Sequence, residues 1–302
     1  MFRRRFLSLA TAAIFATGAL AAGTTAASAQ SITVGGKNFT EQLLMAEMTT
    51  LYLEDNGYDV SKRDGMGSAV LRRAQENAQI DLYWEYVGTS LIVYNEVEGG
   101  EEMEPDEAYE TVKDLDAEKG LVWLEPSDAN NTYAMAMRED HAEELGLETL
   151  SELIEHMEEE EVFSLGVNAE WAARPDGLPG FQEHYDFTWA RGDVRRMETG
   201  LIYPALRDGD VDLGVVFATD GRIDAFEFRV LEDDKAFFPN YAMTPVVRQD
   251  TLEANPELED LLNRMSEHLD DDTMQTLNRQ VDVDGRTIEE VAQSFLEEEG
   301  LI

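Results

Sequence analysis

Residues 31–84 read SITVGGKNFTEQLLMAEMTTLYLEDNGYDVSKRDGMGSAVLRRAQENAQIDLYW, and this stretch decides the fold. β-Branched runs alternate in it with apolar residues at helical spacing. The pattern predicts strands over 31–35, 58–62 and 80–84, and helices over 40–56 and 68–79. Hydroxyl side chains often cap helix N-termini, so we expect Thr40 and Ser68 to be the two N-caps. A β-α-β-α-β order is typical of a mostly parallel sheet, whose ligands bind at the carboxyl ends of the strands.

The remainder of the chain continues to alternate between strand and helix patterns. Further strands are predicted over 121–124, 133–137, 163–167, 212–218, 229–231 and 242–248, and helices over 105–119 and 150–160. No low-complexity linker divides the chain, which favours two lobes joined by strands over two tethered domains. The strands Tyr133–Met137 and Tyr241–Val247 are the candidate crossings between the lobes.

The N-terminus has the pattern of an export signal. Arg3, Arg4 and Arg5 precede an apolar stretch over 6–22, and Ala27-Ser28-Ala29 resembles a cleavage site. We therefore predict a signal peptide over residues 1–29, compatible with either the general or the twin-arginine route. With no cysteine in the chain, a lipid anchor is excluded, and we expect a periplasmic protein that diffuses to its partners.

The charge of the chain is strongly acidic. It has 64 Asp and Glu against 23 Lys and Arg, a net charge of −41, yet 43% of its residues are hydrophobic, as in a folded protein. Such a surface repels nucleic acid and anionic lipid, which excludes both as partners. At about 1 M salt the Debye length falls to about 3 Å and screens the self-repulsion. The composition therefore favours a halophilic protein.

Nothing in the sequence predicts catalysis. The four histidines are scattered, and the chain has no Gly-x-Ser-x-Gly elbow and no Gly-rich phosphate loop. No acidic stretch has the spacing of a calcium loop. We therefore expect no enzymatic activity, no catalytic residue, no metal site and no cofactor.

Aromatic residues occur where predicted strands end or begin, at the edge of a sheet where a pocket would form. Tyr86, Tyr133, Phe217 and Tyr241 have this placement. Several aromatic faces that meet in one pocket suit a cation. Each of these residues taken alone could equally belong to the hydrophobic core.

Two basic residues lie at positions that suit an anion. Lys37 precedes a predicted helix N-terminus, and Arg174 lies in a loop of turn-forming residues. A structural ion pair or a solvated loop charge is the alternative for both. Arg222 is expected to pair with Asp220 or Asp224.

Six motifs together resemble the glycine betaine/choline/carnitine-binding proteins of ABC importers, which bind quaternary-ammonium osmoprotectants. They match in order and spacing over nearly all of the chain after the signal. The motifs are GKNFTEQ at 36–42, DLYWEYVGT at 81–89, NNTYA at 130–134, ARPDG at 173–177, ATDGRI at 218–223 and DDKAFFP at 233–239.

The resemblance implies a fold, a site and a partner. The fold would be α/β, a two-lobed periplasmic-binding-protein fold of type II, in which each lobe is a mixed sheet flanked by helices and two crossing strands join the lobes. Lobe 1 would span 30–132 plus 242–302, and lobe 2 would span 133–241. The partner would be an importer permease in the inner membrane, and the protein a monomer.

Carried over by position, the aromatic cage would be Tyr86, Tyr133, Phe217 and Tyr241. The ligand carboxylate would meet Lys37, Thr89 and Arg174, and the Asn131 backbone would line the cage. The family usually has Tyr where this chain has Phe217, which keeps the ring face and loses a hydroxyl. Choline, carnitine or another betaine or sulfonium remains an alternative ligand, and osmolyte sensing without transport an alternative function.

Overall fold

The computed structural model describes residues 31–302, so the predicted signal peptide over 1–29 lies outside the described residues. Within this range the chain forms ten strands and twelve α-helices. In chain order these are β1 (Ser31–Lys37), α1 (Thr40–Asp55), β2 (Asp59–Met66), α2 (Ser68–Glu76), β3 (Leu82–Tyr86), α3 (Pro105–Ala117), β4 (Leu121–Trp123), β5 (Tyr133–Arg138), α4 (Glu139–Leu145), α5 (Leu150–Glu159), β6 (Leu165–Val167), α6 (Leu178–His184), β7 (Val194–Arg196), α7 (Thr199–Arg207), β8 (Leu213–Phe217), α8 (Arg222–Ala225), β9 (Phe228–Val230), β10 (Met243–Arg248), α9 (Gln249–Ala254), α10 (Glu257–Ser266), α11 (Asp271–Asp282) and α12 (Ile288–Glu298).

The strands form two five-stranded mixed sheets, one per lobe. The first has the order β2-β1-β3-β10-β4 and the second β7-β6-β8-β5-β9. β1 runs parallel to β2 and β3, as the sequence predicts, and β10 returns antiparallel to β3. The second sheet repeats this plan, because β6 is parallel to β7 and β8 while β5 is antiparallel to β8. No helix among residues 31–302 has the length and apolar character to cross a membrane.

The two connections between the sheets lie side by side. β5 belongs wholly to the second sheet and β10 to the first, so the chain crosses just before β5 and just before β10 rather than along these strands. The crossing segments meet at an antiparallel bridge between Asn130 and Ala242. The Tyr241 N–H also donates to Asn130 Oδ1 at 2.8 Å. This paired connection holds the strand ends that carry Tyr133 and Tyr241 beside each other.

Both predicted N-caps are wrong by one residue. α1 and α2 have Phe39 and Gly67 at the N-cap position, and neither cap forms a side-chain hydrogen bond. The Thr40 hydroxyl instead donates to Asp282 Oδ1 of α11 at 2.8 Å. A tertiary partner has therefore displaced the local capping role of this hydroxyl.

Helix α11 connects the two lobes from the C-terminal end of the chain. α11 and α12 pack on α1 of the first lobe. From α11, Gln275 and Asn278 donate side-chain N–H groups to the carbonyls of Ala218 and Thr219, at 3.0 and 2.9 Å, in the loop after β8. The approach is close, since a Cβ at Gly221 would lie 2.5 Å from that of Arg279. The loop after β8 is thereby held against the first lobe.

Candidate ligand-binding site

A cavity of about 290 Å³ lies between the two sheets. It is bordered by the carboxyl ends of β1, β3 and β8, the start of β5 and the turns that precede α2 and α7. All eight residues that the sequence predicts for the site line this cavity: Lys37, Tyr86, Thr89, Asn131, Tyr133, Arg174, Phe217 and Tyr241. Residues from opposite ends of the chain therefore meet at one place.

Three of the four predicted aromatic side chains form a continuous wall, and Tyr86 lies apart from them. The ring centroid of Tyr133 lies 5.0 Å from that of Phe217 and 5.5 Å from that of Tyr241, the latter edge-on. Tyr133 faces Phe217 because the two are register partners of β5 and β8. Burial raises the pKa of the Tyr86, Tyr133 and Tyr241 hydroxyls, so these rings stay neutral.

Phe39 adds a fifth ring that the sequence analysis did not assign to the cage. Its ring stacks on Phe217 with centroids 5.0 Å apart and lies 6.3 Å from Tyr86. It closes the gap between the ring from the first lobe and the rings from the second. The signal was its place in the motif at 36–42, directly after a strand whose carboxyl end borders the cavity.

Lys37 combines the two roles that the sequence left open. Its Nζ lies 2.5 Å from Glu85 Oε1 in a buried ion pair, and 4.8 Å from the ring centroid of Tyr86. The ammonium group has three donors, and one ion pair does not use all of them. Lys37 is therefore both paired and exposed to the cavity.

Arg174 has a bidentate ion pair of the same kind. Its Nε and Nη2 donate to Asp176 at 2.8 and 2.5 Å, and its Nη1 makes longer contacts with Thr89 and Glu170 at 3.2 and 3.4 Å. The guanidinium carbon lies 5.5 Å from the Tyr133 centroid and 5.6 Å from that of Tyr241. The buried ion pair with Asp176 thus fixes the orientation of the guanidinium group. Nη1 faces the cavity, and its long hydrogen bonds could be exchanged for bonds to a ligand.

Two further predictions concern Arg222, which does not line the cavity, and Asn131, which does. Arg222 pairs with Asp220, one of the two predicted partners, and also approaches Asp282 at 3.2 Å. The predicted contribution of Asn131 was its backbone. Its side chain is also engaged, because Nδ2 donates to Glu41 at 2.7 Å.

Glu41 is a buried carboxylate behind the aromatic wall that the sequence analysis did not single out. Its Oε1 accepts from the Tyr86 hydroxyl at 2.6 Å and from Asn131, and its Oε2 accepts from the Thr219 hydroxyl at 2.5 Å. Burial raises its pKa, and hydrogen bonds from Thr219, Tyr86, Asn278 and Asn131 oppose that rise. Glu41 thereby fixes the Tyr86 ring and joins residues of both lobes.

Glu41→Gln is expected to gain stability relative to the wild type as the pH rises. The raised pKa means that Glu41 contributes most stability when protonated, and this is lost as the pH rises through the folded-state pKa. One pKa unit is about 1.4 kcal/mol, or about 2–4 °C in Tm for a protein of this size. The measurement is the Tm difference between variant and wild type from pH 5 to pH 9.

Glu152→Gln provides a control of opposite sign. Backbone N–H donors of Glu148 and Thr149 lower the pKa of Glu152, so its stabilising contribution is present at high pH and lost at low pH. Its Tm difference from wild type should become more negative as the pH rises from about 3 to about 5, through the ordinary Glu pKa of about 4.3, and should stay constant from pH 5 to pH 9. A Glu41→Gln difference that stays flat would contradict the assigned direction.

Comparison with known proteins shows which family the chain belongs to. Residues 30–298 match the family model described as the substrate binding domain of ABC-type glycine betaine transport systems. The chain belongs to this family. It is therefore a substrate-binding protein of ABC importers and not an enzyme, as the sequence motifs indicate.

Individual relatives agree with the family assignment. A glycine-betaine-binding protein of Pseudomonas aeruginosa is 43% identical over 99% of this chain and 95% of its own length. A combined ergothioneine transport permease and binding protein of Helicobacter pylori is 30% identical over 89% of this chain and 48% of its own length. A crystal structure described as a glycine betaine/carnitine/choline ABC transporter is 28% identical with a TM-score of 0.72, covering 89% of this chain and 99% of that one. The two-lobed fold expected from the sequence is thus confirmed.

Proposed function

We propose that this protein binds glycine betaine in the aromatic cavity and delivers it to an ABC importer. The observation that carries the proposal is the juxtaposition of five aromatic rings with Lys37 and Arg174 in one cavity between the lobes. The 43% identical relative is a glycine-betaine-binding protein, which supports this ligand for the chain.

The rings suit the trimethylammonium group of the ligand. A quaternary ammonium has no N–H to donate, and it is a large, weakly hydrated cation. Each aromatic face attracts it by about 0.5–2 kcal/mol, depending on how dry the contact is. Tyr86, Tyr133, Phe217 and Tyr241 would form this cage, with Phe39 between Phe217 and Tyr86. Rings also discriminate against sodium and potassium, which keep their water shells and prefer oxygen ligands.

The basic residues suit the ligand carboxylate. Lys37, Thr89 and Arg174 would donate to it, and the Arg174 Nη1 contacts to Thr89 and Glu170 are long enough to exchange for a stronger bond. Glu85 and Asp176 balance the two basic charges. Because both basic charges are balanced, the trimethylammonium group of a zwitterionic ligand is not repelled by Lys37 and Arg174.

The cellular setting follows from the same proposal. Residues 1–29 would act as a signal peptide that exports the protein to the periplasm, where it would work as a monomer without a lipid anchor. Lobe 1 (30–132 plus 242–302) and lobe 2 (133–241) would close on the ligand and exclude water.

Calorimetry with a ligand panel tests the proposal. Glycine betaine is expected to bind with micromolar affinity or better, which corresponds to about −8 kcal/mol. Dimethylglycine, which exposes an N–H, should bind at least tenfold more weakly. Tightest binding of choline or carnitine would assign the same cavity to that ligand, and a complete absence of binding across the panel would refute the function.

We also propose that the acidic surface adapts the protein to high salt. Glu152, Glu155 and residues 158–161 are exposed on and after α5, an example of the charge density over the surface. The Tm of the ligand-free protein should rise with NaCl, most steeply below about 0.3 M, because screening acts at low ionic strength. A Tm that is flat from 0.05 to 1 M, or that rises only linearly as from preferential exclusion, would contradict the adaptation.

A further inference from the structure

Two equivalent turns face each other across the cavity mouth. In the first lobe the turn at 66–68 joins the edge strand β2 to α2, and in the second the turn at 196–199 joins the edge strand β7 to α7. Residues from both turns line the cavity. The helices α2 and α7 therefore begin on opposite sides of the same opening, one on each lobe.

Each of these helices exposes an aliphatic residue at its third position. Val70 of α2 is 54% exposed and Leu201 of α7 is 56% exposed, the highest values for large hydrophobic residues within 31–302. A single exposed aliphatic side chain is ordinary on a protein surface. Here, however, an aliphatic residue is exposed at the same helix position on both sides of one opening. The two side chains therefore form a pair, on a protein whose surface is otherwise acidic.

The same rim carries basic residues without acidic partners. Arg63 of β2, Arg73 of α2 and Arg195 and Arg196 of β7 are exposed, and none forms an ion pair with another residue in the described part of the chain. Exposed bases without an ion pair also occur elsewhere among the described residues, for example Arg264. The four arginines of the rim are distinguished by their place on the two strand–helix pairs beside one opening.

We propose that this rim, formed by β2–α2 and β7–α7, is the surface on which the importer's permease docks. The inference rests on the proposed function, and it adds the surface and the chemistry of the partner. The permease would present an apolar contact to Val70 and Leu201, flanked by carboxylates for the arginines. The relative from Helicobacter pylori, named as a permease and binding protein in one chain, is consistent with a permease as the occupant.

The arrangement also explains how docking would depend on ligand. Half of the rim lies on each lobe, so the separation of Val70 and Leu201 is set by lobe closure. A rigid partner matches both halves in only one arrangement and would discriminate against the open form. At high salt the arginines are screened, so the aliphatic pair would supply the larger share of the affinity.

The double variant V70D/L201D tests the rim. Glycine betaine affinity, measured by calorimetry, should stay within twofold of wild type, because neither side chain lines the cavity. Ligand-stimulated ATP hydrolysis by the cognate permease and ATPase in nanodiscs should fall at least tenfold. V162D is the matched control, since Val162 is 44% exposed and lies away from the cavity, and it should leave stimulation unchanged.

The pair R195E/R196E tests the charged part of the same surface. The concentration of binding protein that gives half-maximal stimulation should rise at least fivefold at low salt and approach wild type at 1 M NaCl. R264E, another exposed arginine without an ion pair among the described residues, should have no effect.

Two results would overturn the docking surface. One is a rate of ligand-stimulated ATP hydrolysis with V70D/L201D equal to the rate with V162D. The other is binding to lipid alone. If the wild type co-sediments with phosphatidylcholine–phosphatidylglycerol (3:1) vesicles that lack the importer, and V70D/L201D does not, the rim would be assigned to membrane lipid. Calorimetry reports on ligand binding and ATP hydrolysis on docking, so failure of the proposed function is distinguishable from failure of this inference.

Discussion

Tyr133→Ala should weaken glycine betaine binding at least tenfold, a loss of about 1.4 kcal/mol. Tyr133 is the central ring of the cage, with Phe217 5.0 Å away on one side and Tyr241 5.5 Å away on the other. It is only 6% exposed, so a cation on its face is desolvated and the contact is worth about 2 kcal/mol. The measurement is the Kd from calorimetry at constant salt.

The alanine variant also removes a large buried side chain, which costs about 3–5 kcal/mol of stability. Two further variants separate this effect from loss of the ring. Tyr133→Leu retains apolar volume without a π face and should bind as weakly as the alanine variant. Tyr133→Phe retains the face and should stay within about threefold of wild type.

Tyr185→Leu is the matched control elsewhere in the second lobe. Tyr185 is 4% exposed, donates its hydroxyl to Asp233 Oδ1 at 2.9 Å and does not line the cavity. Its loss should lower Tm while leaving the Kd within twofold. A Kd for Tyr133→Leu equal to that of wild type would remove Tyr133 from the cage.

Much of the fold could be predicted because its pattern is local. The apolar spacing of α1 and the β-branched residues of β1 are properties of neighbouring residues. Two elements that the sequence does not predict are short: β7 has three residues and α8 has four. β9 is also short, and it begins one residue before its predicted range of 229–231. Such elements depend on tertiary pairing, here of β7 with β6.

The candidate site shows the same division between local and tertiary information. Aromatic residues at strand ends could be picked out because strand ends are visible in the sequence. The partners of Lys37 and Arg174 could not be ranked, because 64 acids offered too many choices. Glu41 was visible only as a first-turn acid. Its role follows from contacts with Asn131 and Thr219, which lie 90 and 178 positions away.

Arg174→Ala should be the most damaging single change to stability in the site. It would leave Asp176, which is 4% exposed, without its bidentate partner. Removing one member of a buried ion pair costs about 3–5 kcal/mol, because the remaining charge is stranded. The Tyr241 hydroxyl, which donates to the same carboxylate and contacts Arg174 at 3.3 Å, would lose part of its anchor as well.

The same variant distinguishes a ligand contact from a structural role. If Arg174 donates to the ligand carboxylate, Arg174→Ala should weaken glycine betaine at least tenfold and choline much less, because choline has no carboxylate. The double variant R174M/D176L removes both charges and fills their volume, so it should recover part of the lost stability measured by urea unfolding. The recovery should be incomplete, because the buried Tyr241 hydroxyl still loses its acceptor. The betaine affinity of the double variant should nevertheless remain low, since no guanidinium has been restored. Equal losses for betaine and choline in both variants would mean that Arg174 only supports the cavity wall, and that the carboxylate is held by Lys37 and Thr89 alone.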